Sequence, residues 1–283
     1  MRFEKWQALG NDYMIVEAQQ LAFALTPART RRLCDRHFGV GADGVLLLER
    51  AERPEAVARL RIFNPDGSEA ELSGNGAREA IMYLHRHGWV QQERFALDTA
   101  AGELRPTITG PTTCTVDMGH ARLRSPDFPA GDETGAGVVR ARGRDWRFQH
   151  VSVGNPQCVI FVEPAEIEDL DVGAIGPDIE RHELFPNRTN VSWATEVAPG
   201  VLRARIFERG VGETLSSGTG ASGAAVAHVL LHAGGPEVIV RLDGGDLEVG
   251  VDQDLRVTLT GWAVPVYAGE LASDLVEELH ATE

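Results

Sequence analysis

Two short stretches decide how the chain folds: Leu72-Ser73-Gly74-Asn75-Gly76-Ala77-Arg78 and Leu215-Ser216-Ser217-Gly218-Thr219-Gly220-Ala221. Each reads serine, glycine, polar residue, glycine, alanine, and each opens an apolar run. The first run continues from Glu79 to Leu84 and stops at Gly88; the second continues from Ser222 to Leu231 and stops at Gly234-Gly235. A glycine-rich turn entering a helix leaves the first backbone N–H groups unpaired beside the positive end of the helix dipole. That arrangement binds an anion without any charged side chain. One such start in each half of the chain predicts a single carboxylate gripped from two sides, with Ser73 and Ser217 facing each other across it. The competing reading is two unrelated glycine-capped helices. Repetition of the pattern at matching places favours the functional one.

The totals narrow the classes open to the chain. At 283 residues it accommodates two domains of ordinary size. Its net charge of −15 argues against a nucleic-acid or anionic-membrane partner. The first residues, Met1 to Gln7, lack the apolar core of a signal peptide. No run of about 18 apolar residues is present, so no membrane span is expected. Cys34, Cys114 and Cys158 are odd in number and widely spaced, which fits neither a disulfide framework nor a zinc site. Free buried thiols in a reducing cytoplasm are expected. His37, His85, His87, His150, His182, His228 and His232 show no metal spacing. His228 and His232, four apart on a helix, are the one candidate pair, and packing is the preferred reading.

Strands are expected at 3–9 and 13–16 around a Gly10-Asn11-Asp12 turn, at 45–48, and at 59–63 before the turn Asn64-Pro65-Asp66-Gly67-Ser68. Thr26-Pro27 caps a helix reaching about Arg36, whose Arg29, Arg31, Arg32 and Arg36 read as a solvated basic face. Residues 95–99 and 103–108 read as a hairpin, 113–118 as a strand, and 124–137 as an irregular crossing between halves. Strands follow at 146–153, 158–162, 190–194 and 202–207, with a short helix at 167–175. Residues 237–242, 246–251 and 255–260 form a meander, and the tail from Glu270 to Glu283 forms a helix. The helix after Ser217 is apolar nearly all round, as a buried helix is. The fold class expected is α/β (α+β): two pseudo-symmetric domains, each a mixed or antiparallel sheet wrapped round a central helix. The expected boundaries are 1–117 plus 263–283, and 118–262, with the active site in the cleft between the domains.

Separated motifs in a fixed order now give the chain a resemblance. Leu9-Gly10-Asn11-Asp12, Gly39 to Gly44, Asn64 to Arg78, Gly154-Asn155-Pro156, Asn190-Val191, Glu208-Arg209-Gly210 and Ser217-Gly218-Thr219-Gly220 resemble the diaminopimelate epimerase family, nearly end to end. The resemblance implies inversion of an amino-acid α-carbon without pyridoxal phosphate or another cofactor, typically LL- to meso-diaminopimelate, in lysine and cell-wall synthesis. It implies a small diamino dicarboxylate as the partner and leaves a homodimer open as the assembly. It also implies that Asn11, Asn64, Asn155, Asn190 and Arg209 hold the substrate's polar ends. The backbone N–H groups of Gly74-Asn75 and Gly218-Thr219 would hold the α-carboxylate, and Glu208 would steer a neighbouring group or the substrate ammonium.

Inversion needs an acid on one face of the carbon and a base on the other. The family uses two cysteines, one opening each glycine-rich helix, and a thiol of pKa about 8.5 lowered at a helix N-terminus suits both roles. Here those positions are Ser73 and Ser217, and the family's histidine after Asn-Pro is Gln157. A serine hydroxyl is a poor base unless another base activates it. Three readings stay open: an epimerase whose nucleophiles are exchanged for serine, a paralogue with altered chemistry (another amino-acid isomerase or a dehydratase), and a non-catalytic amino-acid-binding protein.

Overall fold

The computed structural model describes residues 1–232 and 234–282. The chain divides into two compact units, residues 1–116 with 261–283, and residues 117–260.

In the first unit, β1 (Arg2–Ala8) and β2 (Asn11–Glu17) form a hairpin in which Trp6 lies opposite Tyr13. The turn needs left-handed backbone, which Gly10 supplies at φ +84°. Helix α1 (Pro27–Cys34) begins where the sequence places it, with Thr26 accepting the Arg29 N–H. Then come β3 (Val45–Glu49), β4 (Ala56–Phe63), β5 (Glu69–Ala70) and α2 (Gly74–Arg86). After these follow β6 (Ala96–Thr99), β7 (Gly102–Leu104), β8 (Thr107–Ile108) and β9 (Thr113–His120), within which the chain passes to the second unit.

The second unit holds β10 (Ala136–Ala141), β11 (Arg144–Ser152), β12 (Pro156–Phe161), α3 (Val172–Glu180), β13 (Asn190–Ala198) and β14 (Val201–Glu208). It continues with β15 (Gly212–Thr214), α4 (Gly218–His232), β16 (Glu237–Leu242), β17 (Gly245–Val251) and β18 (Arg256–Trp262). The chain returns to the first unit with β19 (Val264–Glu270) and α5 (Ser273–Ala281). The first sheet runs β19-β1-β2-β3-β4-β6-β7, and the second runs β10-β11-β12-β13-β14-β16-β17-β18-β9-β8. Both are mixed: β2 with β3 and β4 with β6 are parallel, as are β12 with β13 and β14 with β16. In each unit the glycine-led helix packs on several strands of its own sheet. Helix α2 is buried continuously from Asn75 to Leu84, and α4 from Gly220 to His228. The mixed α+β class and the central helices match the sequence reading.

Several details differ. Residues 103–108 form two strands, because Pro106 has no N–H to continue a ladder. Residues 167–175 form a 3-10 turn at Ile167–Asp169 and then a separate helix, which Asp171 starts by accepting the Ala174 N–H at 3.0 Å. Residues 124–137 lie wholly in the second unit and end in β10. β19 is unread in the sequence; its alternation is interrupted by Pro265 and Gly269, yet it pairs with β1. The tail helix starts at Ser273 rather than Glu270, and Glu283 lies outside the described residues. The basic face of α1 is not simply solvated. Arg29 donates to the carbonyls of Leu279, His280 and Thr282, where a cation satisfies the end of α5. Among the described residues no helix is long and apolar enough to cross a membrane.

Candidate functional site

Ser73 is the N-cap of α2: its Oγ accepts the Gly76 N–H at 3.1 Å and its carbonyl accepts the Ala77 N–H at 2.8 Å. Ser217 does the same for α4, with Gly220 at 3.2 Å and Ala221 at 2.9 Å. The second glycine of each motif keeps the helix on its sheet. A Cβ on Gly76 would come 3.0 Å from Leu46 Cδ2, and one on Gly220 would come 2.6 Å from Ile206 Cδ1. The polar residue between the glycines is held by an asparagine that follows a left-handed glycine. In the first unit Asn75 Nδ2 donates to Asn11 Oδ1 at 3.2 Å, after Gly10. In the second Asn155 Nδ2 donates to Thr219 Oγ1 at 3.2 Å, after Gly154 at φ +90°.

Around the first mouth the amide orientations are set by groups of fixed polarity. Arg78, fully buried, donates to Asn75 Oδ1 at 2.5 Å and to the Gly74 carbonyl at 3.1 Å. Asn11 Nδ2 donates to Asp43 Oδ2 at 2.9 Å. Guanidinium can only donate and carboxylate can only accept, so the chain from Arg78 through Asn75 and Asn11 to Asp43 has one direction. Arg36 closes it by pairing with Asp43 and Asp12 at 2.7 Å each, and Lys5 also pairs with Asp12. Burial tends to raise the Asp12 pKa, but bonds from Arg36 and Lys5 outweigh it and hold the carboxyl low. Burial pulls the Arg78 pKa down to about 10, which leaves it a cation at neutral pH. Its neighbour Glu79 is buried too, and desolvation pushes that carboxyl well above the usual carboxylate range. Asn64 stays apart from this chain: its Nδ2 donates to Ser68 Oγ at 3.0 Å within its own turn.

Among the described residues Ser73 has one side-chain hydrogen-bond partner. The Tyr13 hydroxyl donates to its Oγ at 3.2 Å. The ring reaches it because Gly44 has no side chain; a Cβ there would sit 2.6 Å from Tyr13 Cε1. Ser217 has a different partner. Its Oγ donates to Glu208 Oε2 at 2.9 Å, and Thr214 Oγ1 donates to the other oxygen at 2.8 Å. Burial raises the Glu208 pKa, and those two bonds only partly offset it. Asn190 Oδ1 accepts the backbone N–H of Arg209 at 2.7 Å, while the exposed guanidinium donates to the Asn187 carbonyl at 3.0 Å. Buried Glu180 accepts the Gly210 N–H at 2.8 Å and pins the same loop. Gln157 turns its amide elsewhere: its Nε2 donates to Asn155 Oδ1 at 2.6 Å, and its Cγ would lie 2.8 Å from a Cβ on Gly223.

The cysteines open neither glycine-led helix. All three are buried and free, with Cys34 and Cys114 pushed up to about 12 by desolvation. His228 and His232 stack at 5.2 Å rather than converge, and among the described residues no three His, Cys, Asp or Glu group to hold a metal.

The sequence pattern of the diaminopimelate epimerase family matches residues 3–124 and 149–266. The chain belongs to the diaminopimelate epimerase family. A diaminopimelate epimerase from Synechococcus sp. (strain JA-3-3Ab) is 41% identical over 281 residues, covering 96% of this chain and 98% of that one. Another, from Desulfitobacterium hafniense, is 40% identical over 284 residues, covering 97% and 99%. Among solved structures, a probable proline racemase from Agrobacterium radiobacter K84 superimposes with TM-score 0.71 at 18% identity, covering 96% of this chain and 93% of that one. That likeness shows a shared fold. The chain is thus an enzyme of the amino-acid epimerase and racemase class.

Within this diaminopimelate epimerase relative, Tyr13, Asp43, Arg78, Glu180 and Thr214 are side chains the sequence reading passed over as site residues. One signal could have found part of the set. Arg59-Leu60-Arg61-Ile62-Phe63-Asn64 stands nine residues before Ser73, and Arg203-Ala204-Arg205-Ile206-Phe207-Glu208 nine before Ser217. The structure repeats with it: Ile62 pairs with Ala70 as Ile206 pairs with Thr214. Arg61 bonds Glu69 at 2.8 Å as Arg205 bonds Glu213 at 2.9 Å.

Proposed function

We propose that the chain epimerises the α-carbon of a diamino dicarboxylic acid, LL- to meso-diaminopimelate, with Ser217 and Ser73 as the two proton-transferring groups. The observation that carries this is the 2.9 Å bond from Ser217 Oγ to Glu208 Oε2. A serine becomes a usable base when a carboxylate takes its proton. A carboxylate whose pKa is raised by burial is better matched to neutral pH than an ordinary one. The N–H groups opening α2 and α4 would bind the substrate carboxylate and stabilise the charge that grows on it as the α-proton leaves. Asn11, Asn75, Asn155 and Thr219 would fix its orientation, with Asn64, Asn190 and Arg209 on its distal end.

The test is chiral chromatography of LL-diaminopimelate incubated with the protein. Accumulation of the meso form supports the reading. Calorimetric binding without conversion would leave a binding protein, and absence of both would reject this substrate. The second reading, altered chemistry on the same amino-acid site, is favoured by one observation: the residue in place of the family's histidine, Gln157, is locked on Asn155 and offers no proton.

A further inference from the structure

The two units offer two stations at each helix mouth. One station is two residues after the asparagine that follows the left-handed glycine: Tyr13 in the first unit and Gln157 in the second. The other stands nine residues before the serine: Asn64, just past the end of β4, in the first and Glu208, the last residue of β14, in the second. Each unit directs one of its two residues at its serine, and a different one. Gln157 turns to Asn155, and Asn64 turns to Ser68. Tyr13 bonds Ser73, and Glu208 bonds Ser217.

We infer that Tyr13 is the proton-supplying partner of Ser73, as Glu208 is the proton-accepting partner of Ser217, so that the first mouth acts as acid when the second acts as base. This rests on the proposed epimerisation. Ser73 Oγ can accept from both the Tyr13 hydroxyl and the Gly76 N–H, which leaves its own hydrogen free to turn to a ligand. Ser217 Oγ instead spends its hydrogen on Glu208. In one direction the α-C–H bond breaks and its proton goes to Ser217 Oγ, whose own proton moves to Glu208. The electron pair left on carbon takes the Ser73 hydroxyl proton from the other face. The Ser73 oxygen then takes the Tyr13 phenol proton, leaving a phenolate. The reverse turnover, or exchange with water, restores both groups. No electron leaves the substrate. A phenol of pKa about 10 is a far stronger acid than an aliphatic alcohol, so Ser73 need not persist as an alkoxide. Tyr13 acts through Ser73 and is a positioning residue in that sense; it is only 5% exposed.

The experiment is α-deuterium incorporation into diaminopimelate by the parent and by Tyr13→Phe, each with and without Ser73→Cys. Removing the phenol oxygen is expected to lower kcat about 100-fold with KM within about 2-fold. In the Ser73→Cys background the same change is expected to cost less than about 3-fold, because a thiolate needs no phenol to support it. Equal losses in both backgrounds, or a loss confined to KM, would make Tyr13 a packing residue and overturn the inference. A parent that exchanges and a Tyr13→Phe variant that matches it would overturn this role alone. A parent with no exchange would take down the proposed reaction together with it.

Discussion

The two helix mouths are built on one plan and finished differently. Each has a capping serine, a glycine that admits a strand side chain, and an asparagine holding the polar residue between the glycines. Around the first, polarity is imposed by buried Arg78 and by Asp43, and the serine faces a phenol. Around the second, the serine faces a carboxylate under desolvation. The lesson is that the repeated backbone supplies a serine-capped, glycine-led helix start twice, while the side chains at two stations give each serine a different partner. Serine also makes a better helix cap than a sulfur side chain would, so each mouth has a structural reason to hold serine whatever its chemistry.

The largest effect should come from the station that differs most. Glu208→Gln is expected to lower α-proton exchange by roughly 100- to 10,000-fold, measured by NMR in deuterated water. The acid limb of the parent's pH profile should lie above the ordinary glutamate value of about 4.3, since burial raises this carboxyl, and should vanish in the variant. A variant that loses no more than Tyr13→Phe would erase the contrast between the mouths. Ser73→Cys with Ser217→Cys should raise exchange at least about 10-fold. It should also cost about 1 kcal/mol of stability per cap, read by denaturant titration.

Arg78→Met comes next. It removes the guanidinium donors from Asn75 Oδ1 and from the Gly74 carbonyl, at a cost of about 1–3 kcal/mol, and should weaken diaminopimelate binding by calorimetry. The smallest effect sharpens the geometric side. Gly220→Ala should destabilise by about 1 kcal/mol more than Gly76→Ala, because Ile206 stands at 2.6 Å and Leu46 at 3.0 Å. Glu79→Gln gives a sign test. A carboxyl whose folded pKa is raised stabilises less as pH climbs above the unfolded value of about 4.3, so the variant should gain on the parent at neutral pH.

Much of this was legible before any coordinates. Apolar runs marked β2 and β3, alternation marked β4, the meander of β16 to β18 was legible between its turns, and Ser-Gly-x-Gly marked both central helices. Thr26-Pro27 marked α1. What was illegible depends on distant partners. β19 reads as loop until β1 pairs with it, and Arg29 reads as surface until α5 ends beside it. Tyr13 looked like one apolar strand residue among several, because nothing within the sequence shows that Gly44 leaves its ring a path to Ser73. Asp171 is a capping residue only in hindsight, since the turn before it mimics helix.

The most direct measurement follows both α-carbons of LL-diaminopimelate in deuterated water at low conversion. With Ser217 taking the proton and Ser73 giving one, deuterium should appear at the inverted centre of meso product while recovered LL substrate keeps its hydrogen. Deuterium entering the LL substrate with no inversion, or no deuterium in either pool despite binding, would contradict a two-serine epimerase.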